Sequence, residues 1–427
     1  MRYLLFLFIV MSATSSWTQV TEKYHSPLAG FYKAEDLFEK EQFSAARKEF
    51  QLFLATYKGT KDDPFFIKAN YYEGLAALEL FNNDAITLLE KFNRDYPESI
   101  YKNDISLRIG RFYYQKKDYS GAISWFNKVD KQQLDSTAMN EYLFKLGYAN
   151  FYEKNYPASK AAFFEVKEAK DQYGAPSLYY YSHICYLDSS YQSAVEGFER
   201  LMTDKRFKTV VPYYITQIYH MQEKYDKVVL FAPSSLDSLK PNERIEMNHI
   251  IGDAYYRLKK YDEAVPYLEY YNQNATTSRD DDYALAIAYS KSGNCIKAVK
   301  YFDKVARIKD TLGQIALYHA GECYVNLNQL PYAKTAFEVA AELDMDPLIQ
   351  EDALYNYAIL AYKLDQNAYD DAVEALEKYL DKYPNSKRKN VVYEYLVNVY
   401  LNTKNYTKAL TELEKFAKKD SKLKAAY

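Results

Sequence analysis

A small residue followed four positions later by a large apolar one recurs along this chain of 427 residues every 34 to 39 residues, and this repetition constrains the fold more than any other feature. The pairs are Ala46/Phe50, Ala85/Leu89, Ala122/Phe126, Ser159/Phe163, Ala194/Phe198, Val228/Ala232, Ala264/Leu268, Ala298/Phe302, Ala333/Phe337, Ala372/Leu376 and Ala409/Leu413, eleven in all. Residues four apart share one face of an α-helix. A second small residue stands twelve positions earlier in most units: Ala34, Gly110, Gly147, Ser182, Thr216, Gly252, Ala286 and Gly321. Gly74 and Ala358 fill the same role if one turn is shorter and one longer, and Val397 breaks the pattern. Each interval therefore reads as two helices joined by a short turn, with the small residues meeting where the helices cross and the large one filling the gap beside them. A single hairpin cannot bury its own apolar face; only stacking on neighbours gives a continuous core.

Composition agrees with a packed helical array. Glycine is 12 of 427 residues, under half the usual share of about 7%, while Tyr and Phe number 48 and 23. Backbone freedom is scarce and apolar bulk plentiful, which argues against β-rich folds and flexible linkers. The net charge is -3 with no long run of one sign, so nothing marks a surface for phosphate backbones, and nucleic acid is not an expected partner. Residues 1–18 begin Met1-Arg2, continue with an apolar stretch at 3–11 (YLLFLFIVM) and end in small polar residues, the pattern of a signal peptide cleaved after Ser15 or Thr18. No other stretch approaches the roughly 18 apolar residues of a membrane helix, so none is expected after cleavage. Cys185, Cys295 and Cys323 are too few to staple an exported chain and read as core residues.

An aromatic residue stands three before the small one in most units: Phe43, Tyr119, Tyr156, Tyr191, Tyr225, Tyr261, Tyr369 and Tyr406. Residues 113–119 (YYQKKDY) and 255–261 (YYRLKKY) read as polar turns, with Asp118 and Asp262 capping the second helix. The combined pattern, as in Gly110, Tyr113, Tyr119, Ala122 and Phe126, or Gly321, Tyr324, Ala333, Phe337 and Pro347, resembles the tetratricopeptide repeat. The resemblance runs from about Phe31 to Lys418. It implies an all-α fold, a right-handed superhelix (α-solenoid) of about eleven two-helix repeats with a concave groove; together with the leader pattern, the expected layout is a leader at 1–18, an extension at 19–30 and the superhelix at 31–427. Tyr96-Pro97-Glu98-Ser99 and Tyr383-Pro384-Asn385-Ser386 further resemble segments of Gram-negative envelope proteins, the outer-membrane assembly and Tol-Pal-associated types. In the sixth unit, Pro233 and the aperiodic stretch 234–241 (SSLDSLKP) should stop the second helix early and leave either a joint or a longer, rigid loop at 233–241.

Reactive constellations are missing from the sequence. There is no nucleotide-binding glycine loop, no H-E-x-x-H, no G-x-S-x-G and no C-x-x-C. His25, His183, His220, His249 and His319 lack metal-ligand spacing, and His183 and Cys185 point to different sides of a helix. Asp280, Asp281 and Asp282 fall where a helix begins, which suits charge favoured by the helix dipole better than a calcium loop. No catalytic residue, cofactor or metal is expected.

The resemblance places the residue fifteen before the second-helix small position on the first helix, bordering the groove. That column reads Tyr71, Leu107, Phe144, Tyr179, Tyr213, His249, Tyr283, Tyr318, Tyr355 and Glu394; a second, seven residues on, includes Tyr114, Tyr186, His220, Tyr256 and Tyr362. The candidate binding residues are thus Tyr71, Phe144, Tyr179, Tyr213, Tyr283, Tyr318 and Tyr355, with Tyr186 and Tyr256. Tyrosine offers a large apolar face and a hydroxyl that bonds backbone, suited to a protein segment lying along the groove. The first column has no Lys or Arg, which sets it apart from relatives that clamp a C-terminal carboxylate. The expectation is an exported scaffold binding protein partners; the alternatives are a glycan- or cell-wall-binding protein using the same rings, or an accessory domain of a larger enzyme system.

Overall fold

The computed structural model describes residues 26–364 and 370–417. The expected leader and most of the 19–30 extension lie outside the described residues, while Ala29 and Gly30 already open the first helix. Among the described residues are twenty-two α-helices, two 3-10 turns and no strand. They form two compact units that part between Asp204 and Lys205. The first holds α1 (Ala29–Glu39), α2 (Phe43–Thr56), α3 (Pro64–Glu79), α4 (Ala85–Asp95), α5 (Lys102–Gln115), α6 (Tyr119–Phe126), α7 (Ser136–Tyr152), α8 (Tyr156–Val166), α9 (Gly174–Leu187) and α10 (Tyr191–Arg200). The second holds α11 (Val211–Met221), α12 (Tyr225–Phe231), α13 (Pro241–Arg257), α14 (Tyr261–Asn274), α15 (Arg279–Lys291), α16 (Cys295–Val305), α17 (Thr311–Asn326), α18 (Leu330–Glu342), α19 (Pro347–Leu364), α20 (Asp370–Lys382), α21 (Lys389–Asn402) and α22 (Tyr406–Ala417). Within each unit every helix packs on the next in sequence, and odd-numbered helices also touch the following odd-numbered helix, so the units are solenoids of hairpins.

The small-then-large register carries the core. Ala46, Ala85, Ala122, Ser159, Ala194, Val228, Ala264, Ala298, Ala333 and Ala372 have no exposed surface, and Phe50, Leu89, Phe126, Phe163, Phe198 and Phe302 have none either. Burying each such large side chain contributes roughly 1.5–3 kcal/mol. The close approach is sharper than the sequence implies: a methyl group added to Gly110 would sit 2.5 Å from the Phe126 ring, and one on Gly321 2.7 Å from Phe337. The small residue of the odd helix is therefore the seat of the large residue from its even partner. The two small positions also meet, for Ser159 Oγ donates to the Gly147 carbonyl at 2.7 Å.

Each described turn within a hairpin holds one residue in the left-handed region: Glu41, Phe81, Lys117, Lys154, Ser189, Glu223, Lys259, Gly293, Asn328 and Lys404. In nine of these ten turns the next N–H reaches back five residues to close the helix, as Asp118 N to Tyr113 O at 3.0 Å and Lys260 N to Tyr255 O at 2.9 Å. Only one of these positions is Gly, although a non-Gly residue there costs about 1–2 kcal/mol. Replacing Lys259 by Gly is expected to raise stability by about 1 kcal/mol, and Gly293→Ala to lower it similarly, read as shifts of the urea midpoint. Asp118 caps α6 through Gly121 N at 2.9 Å as expected. Asp262 does not cap α14: its N-cap is Lys260, and Asp262 lies within the first turn, where its charge faces the helix dipole.

The sixth hairpin departs from the others. Helix α12 has seven residues, and Ala232–Ser238 follows as a 3-10 turn because Pro233 has no N–H to continue the α pattern. Ala232, Ser235 and Leu239 anchor this segment by burial. Since 3-10 hydrogen bonds are poorly aligned, amides at 234–240 are expected to exchange with solvent faster than those of α11 and α13; equal protection would remove the idea of a joint there.

Candidate functional site

The nine candidate rings come from odd-numbered helices. Tyr71, Phe144, Tyr179 and Tyr186 stand on α3, α7 and α9 of the first unit; Tyr213, Tyr256, Tyr283, Tyr318 and Tyr355 stand on α11, α13, α15, α17 and α19 of the second. Eight are partly exposed. Tyr71 is not: it is 6% exposed, stacks on Tyr101 at 4.1 Å and donates its hydroxyl to Asp104, which places it in the core rather than at a surface open to a ligand.

The first column is anchored by a contact repeated nineteen residues on. Phe144 packs on Phe163, Tyr179 on Phe198, Tyr283 on Phe302 and Tyr318 on Phe337, with ring centroids 5.6–6.1 Å apart. Each of these rings thus rests on the buried Phe of its own hairpin and leaves part of itself at the surface. The second column closes the turn: Tyr114 meets Tyr119, Phe151 meets Tyr156, Tyr186 meets Tyr191, His220 meets Tyr225 and Tyr256 meets Tyr261. The residue immediately after the first column faces the preceding hairpin instead, as Tyr72 stacks on Phe50 and Tyr180 on Phe163 at 5.6 and 5.3 Å.

Acid–base pairs run beside the rings and bridge consecutive odd helices. In the first unit Arg111 grips Glu141 with two bonds of 2.9 and 2.7 Å, and Lys145 joins the same carboxylate. In the second, column members His220 and His249 bond Asp253 and Asp281 at 2.8 and 3.0 Å, and Arg388 bonds Asp352 while lying 4.7 Å over the Tyr355 ring. Asp281 also completes a capping box with Ser278, and Asp282 is buried against Asn272, Thr277 and Lys304, so the acidic triplet is absorbed by helix start and packing. Burial pushes the Tyr283 and Tyr318 phenols up to about 12, so both remain neutral hydrogen-bond donors at physiological pH.

Burial lifts the Glu141 carboxyl, but Lys145 and Arg111 outweigh it and hold it below the ordinary range. A depressed folded-state value means this stabilisation is complete above the unfolded value of about 4 and is lost as pH falls through the lower folded one. The urea midpoint of the wild type is expected to drop between pH 7 and pH 3, and that of Glu141→Gln to drop less, starting from a lower value at pH 7.

Surface hollows lie elsewhere. One of about 460 Å³ is formed by Tyr156, Pro157, Lys160, Ile184, Leu187 and Asp188 between α8 and α9; a polar one near Glu374, Glu377, Tyr400 and Lys408 lies among α20, α21 and α22. Neither is lined by a candidate ring. Among the described residues no group of three or more His, Cys, Asp or Glu is placed to hold a metal ion, and no helix is long and apolar enough to cross a membrane.

Two segments match the tetratricopeptide repeat family: residues 352–386, across α19 and α20, and residues 245–269, across α13 and most of α14. These two segments are tetratricopeptide repeats by that match. Both matched segments span an odd–even hairpin in the register described above. No curated protein matches this chain. Similar solved structures include YrrB, described as a TPR protein with an unusual peptide-binding site, at 20% identity and a TM-score of 0.37 over 47% of this chain and 100% of that one. A TPR protein from Cytophaga hutchinsonii, solved as its C-terminal part, has 18% identity and a TM-score of 0.31 over 67% and 98% of the two chains. One from Parabacteroides merdae has 15% identity and 0.33 over 60% and 97%.

Proposed function

We propose that this chain is an interaction scaffold that holds protein segments against the half-buried rings of its odd-numbered helices, and that it works after export, at the cell envelope. The observation that carries the reading is the state of the rings: eight of nine are partly exposed, and most are braced from behind by another ring. A braced aromatic side chain offers contact area with little entropy left to lose on binding. Neutral phenols can donate to the backbone of an extended or helical segment. Export rests on the charged, apolar and small-residue sequence of 1–18, and the envelope setting on the motifs at 96–99 and 383–386.

The test is affinity capture from an envelope extract with the wild type and with Tyr179→Ala/Tyr213→Ala/Tyr283→Ala, its helix content checked by circular dichroism. A protein partner should be retained by the wild type and lost by the variant. Retention of every partner would refute the ring surface, and retention of cell-wall polysaccharide in place of protein would favour glycan binding. N-terminal sequencing of the mature protein should begin after Ser15 or Thr18; an intact Met1 would contradict export.

A further inference from the structure

We propose that Cys295 and Cys323 are a disulfide site that covalently ties the α15/α16 hairpin to the next one. Cys295 opens α16 and Cys323 lies on α17; both are buried, and their Sγ atoms are 2.8 Å apart. That is less than 1 Å beyond a covalent sulfur–sulfur bond of about 2.05 Å. The pair also marks a break in a repeated device. In six other hairpins the first residue of the even helix is aromatic and packs on a ring five residues earlier, as in Tyr114/Tyr119 and Tyr256/Tyr261. Here those two positions are Ser290 and Cys295. With no ring filling the turn, Cys323 of the following hairpin reaches in, its Sγ 3.2 Å from Ser290 Oγ. The thiol pair thus occupies the place of an aromatic clasp but spans two repeats. Cys185 belongs to α9 of the first unit.

Closure removes two protons and two electrons from the two thiols. The oxidant is a small-molecule or protein disulfide, which one cysteine attacks to give a mixed disulfide and release a thiol; the other cysteine then displaces the second thiol and completes the bond. Burial pushes the Cys323 thiol up to about 12, which leaves little thiolate in the folded chain, so closure belongs to folding and the closed bond is shielded from later exchange.

The full chain is refolded in a mixture of oxidised and reduced glutathione, alkylated with a maleimide in denaturant, weighed intact and mapped by proteolysis. The expected result is one maleimide per chain, on Cys185, a mass otherwise lower by two hydrogens, and a peptide linking Cys295 to Cys323; reduction in denaturant restores three alkylated thiols. Cys185→Ser refolded in the same way should take up no maleimide. Three maleimides on the refolded wild type, a link through Cys185, or glutathione retained on Cys295 or Cys323 would overturn the assignment.

Discussion

Phe302→Ala is expected to cost about 3–5 kcal/mol, the loss for removing a ring with no exposed surface and leaving a cavity that rigid helices cannot close. The ring serves two hairpins at once. Tyr283 of its own hairpin and His319 of the next both pack on it, with centroids 6.1 and 5.9 Å away. Truncation therefore loosens the interior of one repeat and its interface with the following one. In a stacked array, stability is a sum of repeat and interface contributions, so both fall together. Urea unfolding followed by far-ultraviolet circular dichroism should show a markedly lower midpoint for this unit. A loss below about 1 kcal/mol would mean that the large position of the register is not the seat of the core.

Ala298→Leu is expected to cost about 1–3 kcal/mol by the opposite route, overpacking. Ala298 has no exposed surface and stands four residues before Phe302 on the same face of α16, so added methylenes have nowhere to go without displacing the paired helix. Lys116→Ala, at an exposed turn position beside the Phe112 ring, should change stability by no more than about 0.5 kcal/mol. The contrast between the two is the informative quantity. Equal effects at Ala298 and Lys116 would show the small positions displaced from the helix crossings.

The hairpin array was legible because its signal is local: a small residue and a large one four apart define a helix face wherever they occur, and regular recurrence excludes coincidence. Ala46/Phe50 and Ala122/Phe126 occupy the buried positions that this arithmetic assigns. The turns were harder to read. Left-handed geometry usually announces itself through Gly, but Lys117, Lys154 and Lys259 adopt it for the sake of helix-closing hydrogen bonds, and residue type carries no trace of that. Asp262 stands two residues past the capping position for a related reason, since the helix starts at the aromatic residue before it and Lys260 is the cap. The aromatic column also mixes two environments that sequence spacing separates poorly. Tyr71 and Tyr72, or Tyr179 and Tyr180, are neighbours about 100° apart on a helix. One of each pair turns toward the preceding hairpin, and Tyr71 is further drawn inward by Tyr101 and Asp104. The bridges from His220 to Asp253 and from Arg111 to Glu141 depend on how one hairpin is set against the next, 33 and 30 residues away, and no pattern inside a single repeat reveals them.

An aromatic groove on the odd-numbered helices requires that a partner touch those helices. A photo-reactive phenylalanine analogue placed singly at Tyr283 or Tyr318, on odd-numbered helices, and at Phe164 or Tyr332, exposed on even-numbered ones, tests this directly after irradiation with the captured partner. Adducts at 283 and 318 with none at 164 and 332 are the result the aromatic surface requires. Adducts confined to 164 and 332, or equal at all four, would contradict it.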